Sequence, residues 1–421
     1  MTQFRFLRTR DDYYRHFTVL DIGTDLVKAL VVRREATHGV ILGVSREPQH
    51  PDALVGGVIA DVGLVIEACN RALEAAEDMA GTVPGQAVVG IAGELVRGFS
   101  SSITYPRERP AERVREAELK SMLQLVEHRA LREAQHLLEM ERAYGEVGEV
   151  RLVQSAITQV RIDGYPVTSP VGFQGRNLEL TVFNTFAPAS HVRAIEAVAR
   201  ELDLELAAVV SQPYALARAT ADDELWERGG IFVDIGGGTT NVALLRGGGV
   251  EGVRMFNLGG QTFTRRLGAE MGLSYQEAEA RKLRHSEGLL APDEEYVVTQ
   301  LLMADVEVLL QALALCLREL ARGELLPPDL YVCGGGSLVP ELMEELGRAV
   351  WAEGLPFDQQ PRAYLLGPTD VRGVVDTTGQ LTSPQDVGPM GLASHALRVE
   401  AEERDQVSSV MRGVLKGMRV S

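Results

Sequence analysis

Two stretches of this chain set an aspartate, glycines and threonines in a tight turn between apolar runs. They are Asp-Ile-Gly-Thr at 21–24 and Asp-Ile-Gly-Gly-Gly-Thr-Thr at 234–240. Glycine lets backbone amides approach an anion with no Cβ in the way, and a concave run of amides attracts phosphate oxygens. An aspartate at the end of a strand suits magnesium, reached through the water that this ion retains. One such turn also fits an ordinary hairpin. Two copies half the chain apart, with a third glycine cluster (Gly334, Gly335, Gly336, Ser337) after another apolar run, describe two related domains clamping one nucleotide. The phosphates would lie between Gly23 and Thr24 on one side and Gly236, Gly237, Gly238, Thr239 and Thr240 on the other. The base would rest on the third cluster, and Asp21 and Asp234 would face a metal ion through water.

Lysine usage points the same way. Only Lys28, Lys120, Lys282 and Lys416 occur, and no Gly-Lys-Ser or Gly-Lys-Thr exists, which excludes a P-loop. Backbone amides must therefore do most of any phosphate binding. With 421 residues and 45% hydrophobic side chains, the chain is long enough for two or more packed units. A net charge of −17 with 5% aromatics makes it a poor non-specific binder of nucleic acid, so no nucleic-acid partner is expected. Three widely spaced cysteines give neither a disulfide framework nor a zinc spacing. The most apolar stretch, 301–317, contains Asp305 and Glu307, and no uncharged run approaches the roughly 20 residues that span a bilayer. The first residues lack the apolar core of a secretory signal, so a reducing cytoplasm is the expected compartment.

The turns need strands to hold them. Val19–Asp21 with Lys28–Arg33, Gln86–Ala92, and the segment 230–246 read as buried strands, with 330–333 leading into the third cluster. Residues 150–160 and 177–186 alternate like strands of a small sheet. Helical periodicity covers 64–80, 192–202, 263–271, 274–285 and 297–321. A heavily charged, helix-favouring stretch covers 107–143; it reads as a partner-binding arm or as a solvated helix face.

The order of these motifs resembles the superfamily of actin, the heat-shock chaperone ATPases and the sugar kinases. Within it, LVGGVIADV (54–62), DGYPVTSPVGFQGRNLELTVF (163–183) and GGQTFTRRLGAEMGLSYQEAEARKLRHSEG (259–288) resemble FtsA, the actin homologue of bacterial cell division. The resemblance implies an α/β, actin-like ATPase fold. It has two related domains around a nucleotide cleft, an inserted small α+β subdomain and a C-terminal amphipathic helix. It places Gly259, Gly260, Glu279 and Lys282 around the ribose and adenine; on spacing alone, Glu279 and Lys282 make a surface ion pair. It places Gln212, in VVSQPYALARA, where a Gln or Glu orients the attacking water, although a polar residue opening a helix before Pro213 reads equally well. The implied cofactors are ATP and Mg2+. Departures at Asn241, Arg266, Asp25 and Leu26 from the family pattern imply weak or absent turnover.

The chain ends VSSVMRGVLKGMRVS. At 100° per residue, Val407, Val410, Met411, Val414, Leu415 and Met418 form one apolar stripe, while Arg412, Lys416 and Arg419 lie opposite. Such a helix fits a membrane interface; the alternative is a helix docked on its own domain. The expected division is 17–98, 203–228 and 388–397 for a first domain and 99–202 for an inserted subdomain. A second-domain core would comprise 229–258 and 330–387, followed by a helical subdomain at 259–329, a linker at 398–406 and a membrane helix at 407–421. The expected function is an ATP-binding protein that polymerises, binds anionic lipid on the inner face of the cell membrane, and tethers FtsZ-type division filaments. A PilM-like assembly protein of a type IV pilus or secretion system is the alternative. A soluble sugar or acyl kinase is the rival from another class.

Overall fold

The computed structural model describes residues 15–140, 149–167, 169–348 and 350–402. Strands β1 (His16–Ile22), β2 (Leu26–Arg34) and β3 (Gly39–Pro48) form an antiparallel meander. A short ribbon, β4 (Leu54–Val55) and β5 (Val58–Ile59), leads into α1 (Val62–Ala80) and β6 (Gln86–Ile91). Asp61 caps α1 by accepting from the Leu64 amide, and Gly81 ends it at φ +67°. The next segment holds β7 (Arg97–Pro106), α2 (Glu116–Met140), β8 (Val150–Ile162), β9 (Tyr165–Pro166), β10 (Asn177–Pro188) and α3 (Ala189–Glu201). Then come β11 (Glu205–Ser211), α4 (Gln212–Thr220) and α5 (Asp223–Arg228).

A second meander follows, made of β12 (Gly230–Ile235), β13 (Thr240–Arg246) and β14 (Gly249–Phe256). Helices α6 (Gly260–Met271), α7 (Tyr275–Ser286) and α8 (Pro292–Ala321) lead to β15 (Asp329–Cys333) and α9 (Pro340–Arg348). The chain ends its described part with β16 (Arg362–Leu365), β17 (Val374–Asp376) and α10 (Val387–Glu402).

The duplication in the sequence is a duplication of topology. One sheet runs β11-β6-β1-β2-β3-β17; the other contains β16-β15-β12-β13-β14 in the same relative order. In each, a meander is extended by parallel strands on the first strand's free edge. The second sheet continues through β7-β10-β8-β9, so the expected small sheet is joined to a larger one. The joint is a short pairing of Gly252 and Val253 with Phe99 and Gly98. A Cβ on Gly98 would lie 2.4 Å from Val253, so only glycine admits the strand at that distance. The segment 330–387, expected wholly in the second domain, sends β17 back to pair with β3 of the first sheet.

Alternation along the strands distributes the core. Phe17 and Val19 of β1 and Phe232 of β12 face a central layer that includes α4 and α10. Leu20, Val27, Ala29 and Val31 face the other way, under α1 and α3. Ile231, Val233 and Ile235 face α6 to α9. Helix α8 is long and apolar enough to cross a membrane by length and composition. Its Val298, Leu302, Val306, Leu313 and Leu317 are instead buried against the second sheet. Helix α2 likewise buries Leu119, Met122, Leu123 and Val126 on the β7-β10-β8 sheet, so the charged stretch covers a core of its own.

Candidate nucleotide and metal site

Each meander delivers an aspartate to the same place. Asp21 sits near the end of β1 and Asp234 near the end of β12, and both are largely buried. Their turns touch: the Gly238 amide donates to Thr24 Oγ1 at 2.7 Å. A Cβ on Gly237 would lie 2.6 Å from Asp25, and one on Gly238 would lie 2.9 Å from Thr24 Oγ1. The glycines expected to cradle phosphate thus also let the two halves meet. Gln212, the first residue of α4, donates to Asp21 Oδ1 at 2.5 Å.

Two residues at this site were missed by the sequence reading. Lys28 lies directly across the β1–β2 ladder from Asp21, its Nζ 3.8 Å from Asp21 Oδ2, and donates to the Gln385 carbonyl at 2.6 Å. The signal was there: Asp21 and Lys28 are equidistant from the turn closed by the Gly23 amide and Leu26 carbonyl. Its counterpart across β12–β13 is Asn241, paired with Asp234. The second missed residue is Gly388, in the first turn of α10. A Cβ there would lie 3.8 Å from Asp234 Oδ2 and 3.9 Å from Asp21 Oδ2. No local sequence signal reveals it, because the approach is set by helix packing.

Burial, the largest effect, raises both carboxyl pKa values. Asp234 reaches about 6, with Lys28 pulling it down and Asp21 pushing it up. Asp21 is raised by the same burial, against the opposing pull of Lys28 and the Gln212 hydrogen bond. Burial also carries the neighbouring Cys333 thiol well above its usual range. Two carboxylates this close, with an amide oxygen beside them, suit a hard cation. Among the described residues no group of three or more His, Cys, Asp or Glu side chains could hold a metal ion. Magnesium here would therefore take most of its ligands from water and phosphate.

The other expected residues gather around the second turn. The Gly260 and Gln261 amides donate to the carbonyls of Gly236 and Gly237 at 2.9 and 2.7 Å. A Cβ on Gly259 would lie 2.5 Å from the Gly236 oxygen. Thr239 accepts from the Gly236 amide through its carbonyl, and Thr240 Oγ1 donates to the Leu258 carbonyl. Gly334, at φ +89°, packs on Asp234, Gly336 packs on Ile235, and Ser337 Oγ donates to the Gly334 carbonyl. Gly335 opens the single helical turn that carries Ser337.

Lys282 is buried and donates to Gly260 O, Thr264 Oγ1 and Glu279 Oε2 at 3.1, 2.8 and 2.8 Å. The Glu279–Lys282 pair is therefore a knot between α6 and α7, beside Gly260. Tyr275, whose phenol is pushed up to about 12 by burial and by Asp25 and Glu279, stands beside it. Arg266 forms an ion pair with the buried Asp305 of α8 at 2.8 Å, which explains its charge by packing. The apolar and basic positions of 407–421 lie outside the described residues.

The amino-acid sequence is 27% identical to cell division protein FtsA of Pseudomonas aeruginosa over 270 residues, 63% of this chain and 60% of that protein. It is 24% identical to FtsA of Bacillus subtilis over 356 residues, 78% of this chain and 75% of that protein. The chain is FtsA-like. The alignment with the Pseudomonas protein spans about three fifths of that relative's length. The FtsA-like chain also superposes on a solved PilM–PilN type IV pilus biogenesis complex with a TM-score of 0.64 and 21% identity. That superposition covers 90% of this chain and 98% of the other. The fold is actin-like. No protein-family profile matches the FtsA-like chain.

Proposed function

We propose that the chain binds ATP with magnesium between its two aspartate turns, polymerises on the inner face of the cell membrane, and tethers FtsZ-type division filaments there. The observation that carries this is the convergence of Asp21, Asp234 and Gln212 beneath two glycine turns in contact. The likeness to FtsA supports the division side of the reading. Phosphate oxygens would take the amides of Gly23, Thr24 and Gly236 to Thr240. The Glu279–Lys282 knot and the Gly334–Ser337 turn would flank the nucleoside. Bound magnesium would neutralise phosphate charge, with Asp21 and Asp234 holding its water. Gln212, fixed by Asp21, would orient a water near the terminal phosphate. Asn241 stands where the family pattern has an acid, so turnover is proposed to be weak.

In this reading residues 407–421 anchor the chain. One copy contributes three basic side chains, about 1 kcal/mol each near anionic lipid, together with a partly buried apolar stripe. Several copies on one filament bind firmly through effective concentration.

The test is electron microscopy of lipid monolayers with the full chain and ATP. Filaments are expected, and their loss with ATP binding retained is expected when residues 407–421 are deleted. Bare monolayers with the full chain would overturn the reading. They would favour the second one, a PilM-like assembly protein that binds a short peptide of a membrane partner, consistent with the superposition above.

A further inference from the structure

Strand β8 serves two cores. Its far half places Val160 and Ile162 under α2, while Val153 at the near end joins the core beneath α1 and α3. The ladder to β10 slips beside Val153: Gln154 pairs with Thr185 and Leu152 with Phe186, so Val153 is an extra residue. A bulge of this kind re-aims a neighbouring side chain. Here that side chain is Gln154, and it leaves the small sheet for the start of α4.

Gln154 Oε1 accepts from the Ser211 amide at 3.0 Å. Ser211, the N-cap of α4, is fully buried, and its side chain makes no capping hydrogen bond. The Gln154 amide nitrogen lies 3.3 Å from His395 Nε2 on α10. Burial, with Arg218 and Arg398 nearby, pushes the pKa of that ring down to about 3, so it is neutral and free to accept. Gln154 thus ties together the two helices that reach the paired aspartates. The residue after Ser211 is Gln212, whose amide donates to Asp21 Oδ1. Gln212 is also confined by β6, where a Cβ on Gly90 would lie 2.8 Å from its Nε2. A side chain held this closely takes its aim from where its backbone starts, and Gln154 holds that start.

We propose that Gln154 is a positioning residue for the nucleotide site, fixing the Ser211 amide so that Gln212 faces the attacking water. The proposal rests on the water-orienting role given to Gln212 above; the hydrogen bonds do not. Removing the Gln154 acceptor leaves a buried amide unpaired and lets the first turn of α4 shift. A displacement of about 1 Å is enough to slow a step that depends on a placed water. Nucleotide affinity, which belongs to the glycine turns, is unaffected.

The test is phosphate release by the full chain with Mg-ATP, resolved into kcat and KM. Gln154→Leu, similar in size but without an acceptor, should lower kcat about tenfold and leave KM within about twofold. Gln154→Glu keeps an acceptor for the Ser211 amide and should restore most of the rate. Gln159→Leu, the same change further along β8, should alter neither constant. Gln154→Leu combined with Gln212→Ala should be no slower than Gln212→Ala alone, because the first acts through the second.

An unchanged kcat in Gln154→Leu, where Gln212→Ala is slow, overturns the positioning and leaves the role of Gln212 intact. So does a double variant slower than Gln212→Ala by the full effect of Gln154→Leu. A KM raised together with a lowered kcat, neither restored by Gln154→Glu, also overturns it, by making Gln154 a packing residue. A parent that releases no phosphate, or a Gln212→Ala variant as fast as the parent, overturns both readings.

Discussion

Asp234 carries the most informative single charge in the cleft. Its carboxyl is raised from the ordinary 3.8 to about 6, so the native state holds that proton more tightly than the unfolded chain does. Ionising it therefore costs stability, fully above about pH 6 and not at all below about pH 4. Without ligand, Asp234→Asn should melt higher than the parent at pH 7.5, and the gap should close as the pH falls towards 4. A gap independent of pH would place the strain elsewhere. Asp234→Ala should weaken Mg-ATP at least about tenfold by isothermal titration, the loss of a carboxylate that holds the metal's water; unaltered affinity would undo the assignment. At this scale the sequence was readable where the chemistry is local. The Asp-Gly-Thr turns announce themselves, whereas Lys28 reaches Asp21 through strand register and Gly388 through the approach of α10.

Helix α6 shows what an element contributes. Its first amides bond the carbonyls of Gly236 and Gly237, so it fixes the shape of the second turn. Gly259 precedes it in an extended conformation open to any residue, with φ −170°. The barrier to a side chain is therefore steric, with two carbonyl oxygens at 2.5 and 2.7 Å. Gly259→Ala should displace the turn, costing roughly 1–3 kcal/mol in stability and weakening nucleotide binding measured by fluorescence titration. Gly347→Ala, which meets nothing within 4 Å, should do neither. Equal effects of the two would remove α6 from the site. Periodicity gave the helices α1, α3, α6, α7 and α8 to within a few residues, because each buries one face. It could not show which face of α8 meets the sheet and which remains open. Nor could it show that β7, β8 and β10 continue a sheet built 150 residues later, since two backbone pairings decide that.

For the molecule as a whole, duplication explains the cleft. Two sheets of the same strand order face one another across a layer holding α4 and α10. The first of these helices brings Gln212 and the second Gly388 to the same pair of aspartates. The repeated DIG turn made this architecture legible from the sequence. The return of β17 to the first sheet was not, because a three-residue strand carries no periodicity.

Of the four lysines, two are folded into this cleft: Lys28 beside Asp21, and Lys282 beneath Gly260. Lys120 stands in solvent on α2. Amines are otherwise so scarce that acylation becomes a footprint of the cleft. A brief treatment with an acetylating reagent, read by peptide mass spectrometry, should mark Lys120 quickly and Lys28 slowly. Mg-ATP should slow Lys28 further while Lys120 keeps its rate; equal protection of both would place the nucleotide elsewhere. A set of basic side chains that is nearly all arginine thus leaves the protein with its own built-in chemical reporter.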